Sequence, residues 1–138
     1  MNPNLATKLR FQDAVEAGDW QVIGDCLHPD FTLEEPNVLA YGGTHYGYAG
    51  FKAAWEHIRR VMKTLSLETA HTFYSEDPDR FVCELNYRGQ VLATGDEVAG
   101  TIFERWVFRE GKIINIAPHW LNLPRYASDG GTPHRSDR

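Results

Sequence analysis

The sequence predicts one domain of the α+β class, in which helices come first and an antiparallel sheet follows. Apolar residues recur at helical spacing in the first half of the chain and alternate with polar residues in most of the second half. The chain has 138 residues, of which 42% are apolar and 24% charged, and this is enough for one hydrophobic core. Because long antiparallel strands curl, we expect a cone-shaped curved sheet wrapped around three helices, with a ligand pocket at its open mouth.

The first two helices and the first strand lie before residue 36. Residues 5–17 have the composition of a helix, which Gly18 can end. Asp19 is typical of an N-cap and predicts a short second helix that ends before Pro29. Residues 31–35 alternate between apolar and polar side chains, which predicts a short strand.

The clearest helix follows a loop at 36–50 that is rich in glycine and tyrosine. Its apolar stripe recurs at spacings of three and four residues: Phe51, Trp55, Ile58, Met62 and Leu65. Four strands are then predicted at about residues 67–75, 80–93, 99–109 and 112–121. From residue 124 the chain is polar and without periodicity, so we expect a domain at 1–123 and a disordered tail at 124–138.

Composition excludes several classes of function. The net charge of −5 and the scattered arginines argue against a nucleic-acid-binding protein, and no apolar run is long enough to span a membrane. Cys26 and Cys83 are far apart, which is typical of reduced thiols in a cytoplasmic protein. The sequence has neither the paired histidines of a metal site nor a glycine-rich phosphate loop, so we expect no metal and no cofactor.

Glu35 is the first candidate for acid–base chemistry. It shares one face of its strand with Phe31 and Leu33, so alternation directs it inward. A carboxyl group in an apolar pocket has a raised pKa and can act as a general acid or base near neutral pH. The alternative is that the register slips at Pro36 and leaves Glu35 as a solvated loop carboxylate.

Glu104 and His119 are the second and third candidates. Glu104 alternates with Ile102 and Trp106, which places it on the inner face; the alternative is an ion pair with Arg88 or Arg105. His119 lies near the end of the last strand, where an imidazole can shuttle a proton.

The alternative for His119 is a structural histidine bonded to a backbone carbonyl. Because Pro118 makes the alternation ambiguous, Trp120 is an equal candidate for the inward position.

Aromatic residues and one histidine are candidates for binding a flat apolar ligand. The alternative for the tryptophans is that they only fill the core, and the alternative for the histidine is a surface position. The candidates lie in the glycine-rich loop, in the third helix and on the last two strands: Tyr41, His45, Trp55, Trp106 and Trp120.

Four segments resemble the SnoaL-like branch of the nuclear transport factor 2-like superfamily, also called the ketosteroid isomerase-like superfamily. They read EAGDW (16–20), FTLEEP (31–36), YGGTHYGYAGF (41–51) and W-x-F-x-x-GKI (from Trp106). The resemblance covers about residues 5–123 and implies an α+β barrel of the nuclear transport factor 2-like, or cystatin-like, type. Its members include polyketide cyclases, isomerases, dehydratases and proteins with no known activity.

The resemblance also implies roles for single residues. Glu35 matches the catalytic base of the ketosteroid isomerases, and Glu104 matches their acidic oxyanion donor. Phe11 stands where those enzymes have a tyrosine, and Pro118 stands where many SnoaL-like proteins have a carboxylate. The resemblance further implies a homodimer, for which the mixed face of one strand (Val82, Glu84, Asn86 and Arg88) is the candidate interface.

Two functions follow from these observations. The first is a cofactor-independent acid–base enzyme of the isomerase, cyclase or dehydratase type, acting on a small hydrophobic carbonyl-containing molecule in the cone. The alternative is a non-catalytic small-molecule-binding or dimerisation module of the same fold.

Overall fold

This computed structural model describes residues 2–122 of the chain. They contain three helices and six strands. The predicted tail at 124–138 lies outside the described residues. In chain order the elements are α1 (Pro3–Ala17), α2 (Trp20–Cys26), β1 (Leu27–Glu35), β2 (Gly43–Tyr46), α3 (Gly47–Val61), β3 (Met62–Tyr74), β4 (Arg80–Val91), β5 (Glu97–Arg109) and β6 (Lys112–Trp120). No helix among these residues is both long enough and apolar enough to cross a lipid bilayer.

Local capping interactions define the first two helices. Gly18 adopts a left-handed conformation with φ of 71° and ends α1, as its position in the sequence predicts. The Asp19 side chain accepts a hydrogen bond from the Val22 N–H at 3.2 Å and begins α2. The predictions for Gly18 and Asp19 are therefore confirmed.

The six strands form one curved, unclosed sheet in the order β2-β1-β6-β5-β4-β3. The α+β class and the cone are confirmed, but the prediction that the sheet is wholly antiparallel is wrong, because β1 pairs with β6 in parallel. Alternation locates strands along the chain but does not identify their partners, and this pair joins segments about 80 residues apart in sequence.

The segment from 27 to 65 differs most from its prediction. β1 begins at Leu27 and runs through Pro29, and the predicted loop at 36–50 contains β2 and the first turn of α3. β2 has only four residues, which is too short for alternation to be recognised.

The apolar stripe of the third helix is also shorter than predicted. Met62 and Leu65 keep helical spacing with α3, but the helix ends at Val61 and both residues belong to β3. Met62 is already paired with Val91 of β4, so backbone hydrogen bonding to the sheet replaces the next helical turn.

The core lies between the inner face of the sheet and the helices. Phe11 of α1 packs edge-on against Phe51 of α3 at 5.2 Å and against Trp106 of β5 at 5.9 Å between ring centroids. A second cluster lies towards the end of α3: Leu39, Tyr41, Ile58, Val61, Met62 and Val91. Three partly buried residues pack against both clusters: Trp55, Val98 and Trp120.

Candidate functional site

Glu104 lies on the inner face of β5, between Ile102 and Trp106. It pairs with Cys83 of β4 on one side and with Pro118 of β6 on the other. The alternative ion pairs are not formed among the described residues, because Arg88 pairs with Glu97 at 2.7 Å and Arg105 with Glu34 at 3.1 Å. Alternation along β5 therefore gives the correct face for Glu104.

Glu35 ends β1 and is buried, with only 8% of its surface exposed. Desolvation raises the pKa of its carboxyl group to about 8; the Trp120 indole N–H opposes the shift, and the nearby charge of Glu104 adds to it. Trp120 Nε1 lies 3.5 Å from Glu35 Oε1. Of the two orientations predicted for the Glu35 side chain, the structure has the inward one.

Burial also raises the pKa of Glu104, to about 7. The Lys8 ammonium group lowers this pKa most, and the nearby Trp106 indole N–H lowers it further. Because Glu104 raises the pKa of Glu35, the two carboxyl groups titrate as an interacting pair.

Glu104 retains solvent-accessible surface although its inner-face neighbours are buried. These neighbours are Ile102 and Trp106 along β5 and Cys83 and Pro118 across the sheet. Glu104 is therefore less enclosed than the inner-face side chains around it.

Lys8 is a site residue that sequence reasoning missed. It is 1% exposed, and its Nζ donates hydrogen bonds to Gln12 Oε1 at 3.2 Å and to Thr69 Oγ1 at 3.4 Å. The same Nζ lies 5.4 Å from the centroid of the Trp106 ring. The position of Lys8 along α1 could have identified it as buried. The buried residues of this helix recur every three or four positions: Asn4, Lys8, Phe11 and Ala14.

Tyr87 is a second residue that was missed. Its ring meets Trp120 edge-on at 5.2 Å, and burial raises the pKa of its hydroxyl group. Gly100 lies opposite on β5, where a Cβ atom would come within 3.0 Å of the Tyr87 ring. The sequence feature that could have identified Tyr87 is its alternation with Leu85, which places both side chains on the inner face of β4.

The structure places His119 on the face of β6 opposite to the one that Glu104 shares with Pro118. Its partner is Phe103, whereas Pro118 pairs with Glu104, so the alternation continues through Pro118 and leaves His119 exposed on the outer face. There it borders an open groove of about 390 Å³ that is also lined by Glu34, Glu35 and Arg105. Of the two alternatives at this point in β6, Trp120 is the inward residue.

The proposed binding residues fall into two groups. Trp55 and Trp120 are partly buried and lie where the two core clusters meet, and Trp106 is 2% exposed within the first cluster. Tyr41 is 2% exposed in the second cluster, and its backbone carbonyl accepts a hydrogen bond from His45 Nε2 at 2.7 Å. The structure therefore places Trp120 at Glu35 and Trp106 at Glu104, whereas Tyr41 and His45 lie together around β2.

Comparisons with known proteins agree with this architecture. The family model for the SnoaL-like domain matches residues 9–116, and no curated protein matches the chain. An NTF2-like protein from Burkholderia pseudomallei is 20% identical, with a TM-score of 0.77 over 87% of this chain and 92% of that one.

Two further solved structures are similar over 89% of this chain. A putative polyketide cyclase from Silicibacter is 22% identical, with 91% of its own chain covered and a TM-score of 0.72. A Mycobacterium tuberculosis protein in complex with estradiol-17β-hemisuccinate is 18% identical, with 96% of its chain covered and a TM-score of 0.71. At these identities the similarity establishes the fold.

Proposed function

The chain belongs to the SnoaL-like domain family, and from this premise we propose that it binds a small hydrophobic carbonyl-containing molecule inside the cone and transfers protons on it without a cofactor. The family sets the fold, and the site must supply the chemistry. The buried pair of Glu35 and Glu104 is the observation that carries the proposal.

These two carboxyl groups have the protonation states that acid–base catalysis needs. With pKa values raised to about 8 and about 7, Glu35 holds its proton at neutral pH while Glu104 is close to half-ionised. A carboxylate and a carboxylic acid are thus available in the same interior. Structural ion pairs cannot account for the shifts, because burial is the largest cause of both.

The proposed step is an enolisation. The Glu104 carboxylate takes a proton from the carbon next to the ligand carbonyl, and the electrons of that C–H bond form the carbon–carbon double bond. The carbonyl electron pair moves to oxygen, which takes the proton of Glu35. Glu104 gains one proton and Glu35 loses one, so the order of roles is the reverse of the one that the family resemblance implies.

Two of the structurally similar proteins support a hydrophobic ligand. One is a putative polyketide cyclase, and the other holds an estradiol derivative. In this chain the half-buried Trp55 and Trp120 would contact the apolar part of such a ligand, because both lie between the two core clusters and Trp120 lies beside Glu35.

Hydrogen–deuterium exchange of a bicyclic ketone such as 2-tetralone in deuterated water tests the proposal. We expect the protein to accelerate exchange at the carbon next to the carbonyl. Glu104→Gln should lower the acceleration by about a hundredfold, the usual contribution of a general base. Glu34→Gln is the matched control, because Glu34 is exposed and paired with Arg105. Equal rates for the wild type and Glu104→Gln would contradict the proposal.

A non-catalytic binding module is the second candidate, and one observation favours it. Phe11 contributes no hydroxyl group to the core, and His119 lies on the outer face, so two of the groups considered for catalysis are absent from the interior. Tight ligand binding with no exchange above the rate in buffer would select this function.

We also propose a homodimer that acts in the cytoplasm. The outer face of β4 is mixed in polarity and not covered by the helices, so it can pair with a second copy: Val82, Glu84, Asn86 and Arg88. Cys26 and Cys83 are both free thiols, which is typical of a reducing compartment. Sedimentation velocity of the wild type and of Val82→Glu tests the interface.

A further inference from the structure

We propose that Lys8 is the positioning residue that assigns the two acid–base roles, keeping Glu104 as the base and leaving Glu35 as the acid. This inference rests on the proposed function, because it concerns the same pair of carboxyl groups. It adds a residue of α1 that acts on the ligand only through Glu104.

Lys8 holds its ammonium group at a fixed point above the inner face of the sheet. Its Nζ donates hydrogen bonds to Gln12 Oε1 on α1 at 3.2 Å and to Thr69 Oγ1 on β3 at 3.4 Å. The same atom lies 5.4 Å from the centroid of the Trp106 ring on β5. Contacts from one helix and two strands therefore fix the position of this charge.

The fixed charge lies beside Glu104. Glu104 precedes Trp106 by two residues on the same face of β5, and it pairs with Cys83 of β4. Lys8 is the largest influence that lowers the pKa of Glu104, and its charge also lowers the pKa of the Cys83 thiol. The ring contact and the strand pairing thus place Lys8 at the same part of the sheet as Glu104.

Glu35 is under different influences. Burial raises its pKa, the Trp120 indole N–H lowers it, and the charge of Glu104 raises it further. Burial is the largest cause of the shift for both carboxyl groups. The cation beside Glu104 is therefore what makes the two groups unequal.

The charges of the interior also favour a single carboxylate. Lys8 and Glu35 are the buried charged side chains of residues 2–122, and Glu104 is partly buried. One ammonium group and one carboxylate balance each other, whereas two carboxylates would leave an excess charge in a poorly solvated region. The thiol of Cys83 stays neutral, because burial raises its pKa. Glu104 is the carboxyl group on which the cation acts, so it is the one that ionises first.

The pH dependence of 2-tetralone exchange tests this assignment. In the wild type, the rate should rise as Glu104 ionises near pH 7 and fall as Glu35 loses its proton near pH 8. Lys8→Met should move the rise to higher pH by about one unit, which lowers the rate at about pH 6 roughly tenfold. Lys8→Arg keeps the charge and should restore the wild-type profile. Lys52→Met is the matched control, because Lys52 lies over the ring of Trp20, at 5.1 Å.

A purely structural role for Lys8 would lower the rate by the same factor at every pH, and this result would overturn the proposal. NMR of the Glu35 and Glu104 carboxyl carbons gives a second measurement that needs neither activity nor a variant. In the wild type Glu104 should titrate at lower pH than Glu35, and the opposite order would overturn the assignment of roles.

The same NMR titration separates this proposal from the proposed function. A pKa of Glu104 that is equal in the wild type and in Lys8→Met would overturn the role of Lys8 and leave the proposed function intact. Absence of exchange in the wild type, together with a raised pKa of Glu104 in Lys8→Met, would overturn the proposed function and retain the action of Lys8 on Glu104.

Discussion

Trp120 Nε1 lies 3.5 Å from Glu35 Oε1, so the last described strand brings an indole N–H to the buried carboxyl group at the end of β1. The two residues belong to parallel neighbouring strands. A hydrogen bond of this length is weak, yet it is the largest influence that opposes the desolvation of Glu35.

Replacing this donor should change the titration of Glu35. Trp120→Phe keeps an aromatic ring and removes the N–H, so we expect the pKa of Glu35 to rise above its value of about 8. NMR of the Glu35 carboxyl carbon during a pH titration measures this pKa. Trp20→Phe is the control, because Trp20 packs against Tyr48 away from Glu35. A pKa that falls in Trp120→Phe would contradict the assigned contact.

Glu35→Gln should change the pH dependence of stability. The pKa of Glu35 is raised from 4.5 to about 8 in the folded state, so its stabilising contribution is complete below about pH 4.5 and is lost as the pH rises through 8. The glutamine variant carries no charge. Relative to the wild type, it should therefore gain stability between about pH 5 and pH 9, on the order of a few kcal/mol.

Urea denaturation at several pH values measures this difference in the free energy of unfolding. Glu34→Gln serves as the control, because Glu34 is exposed beside Arg105 and its difference from the wild type should stay constant over the same range. A constant difference for Glu35→Gln as well would mean that the carboxyl group of Glu35 titrates normally.

Lys8→Met should raise the stability of the empty protein. Methionine has a similar length and no charge, so the variant removes the desolvation cost of a buried ammonium group, and Glu104 can take up a proton near neutral pH in place of its interaction with Lys8. We expect a net gain of about 1 kcal/mol. The pKa of Glu104 should rise in the same variant, because the nearby cation that lowers it is gone. A loss of stability above about 1 kcal/mol would show that the bonds of Lys8 to Gln12 and Thr69 are mainly structural.

Phe11→Ala should destabilise the fold strongly. Phe11 is 4% exposed and contacts the rings of Phe51 and Trp106. Its truncation leaves a cavity, which should lower the free energy of unfolding by about 3–5 kcal/mol. Leu9→Ala is the control on the same helix: Leu9 is 47% exposed, and its change should stay within about 0.5 kcal/mol.

The sequence predicts the strands and helices more reliably than their partners. Glu104 could be placed on the inner face because β5 is long and alternates clearly with Ile102 and Trp106. Glu35 could not be placed uniquely, because it is the last residue of its strand and Pro36 follows it. Lys8 was missed because a lysine on a helix is usually solvated, and its burial depends on Thr69, which is 61 residues away.

The pairing of strands that lie far apart in the sequence could not be predicted either. β2 is too short to show a period, and nothing local indicates that β1 lies beside β6. The contact between Glu35 and Trp120 depends on this pairing, so the sequence could name both residues as candidates but could not bring them together.

The parallel neighbours β1 and β6 also have a consequence for the order of folding. Glu35 and Trp120 are separated by 85 residues, whereas β3, β4 and β5 pair with strands that follow directly in sequence. Closing such a large loop is slow compared with forming hairpins. During synthesis on the ribosome, β1 therefore cannot complete its pairing until β6 has emerged, and until then Glu35 has neither its indole donor nor the apolar enclosure that holds its proton.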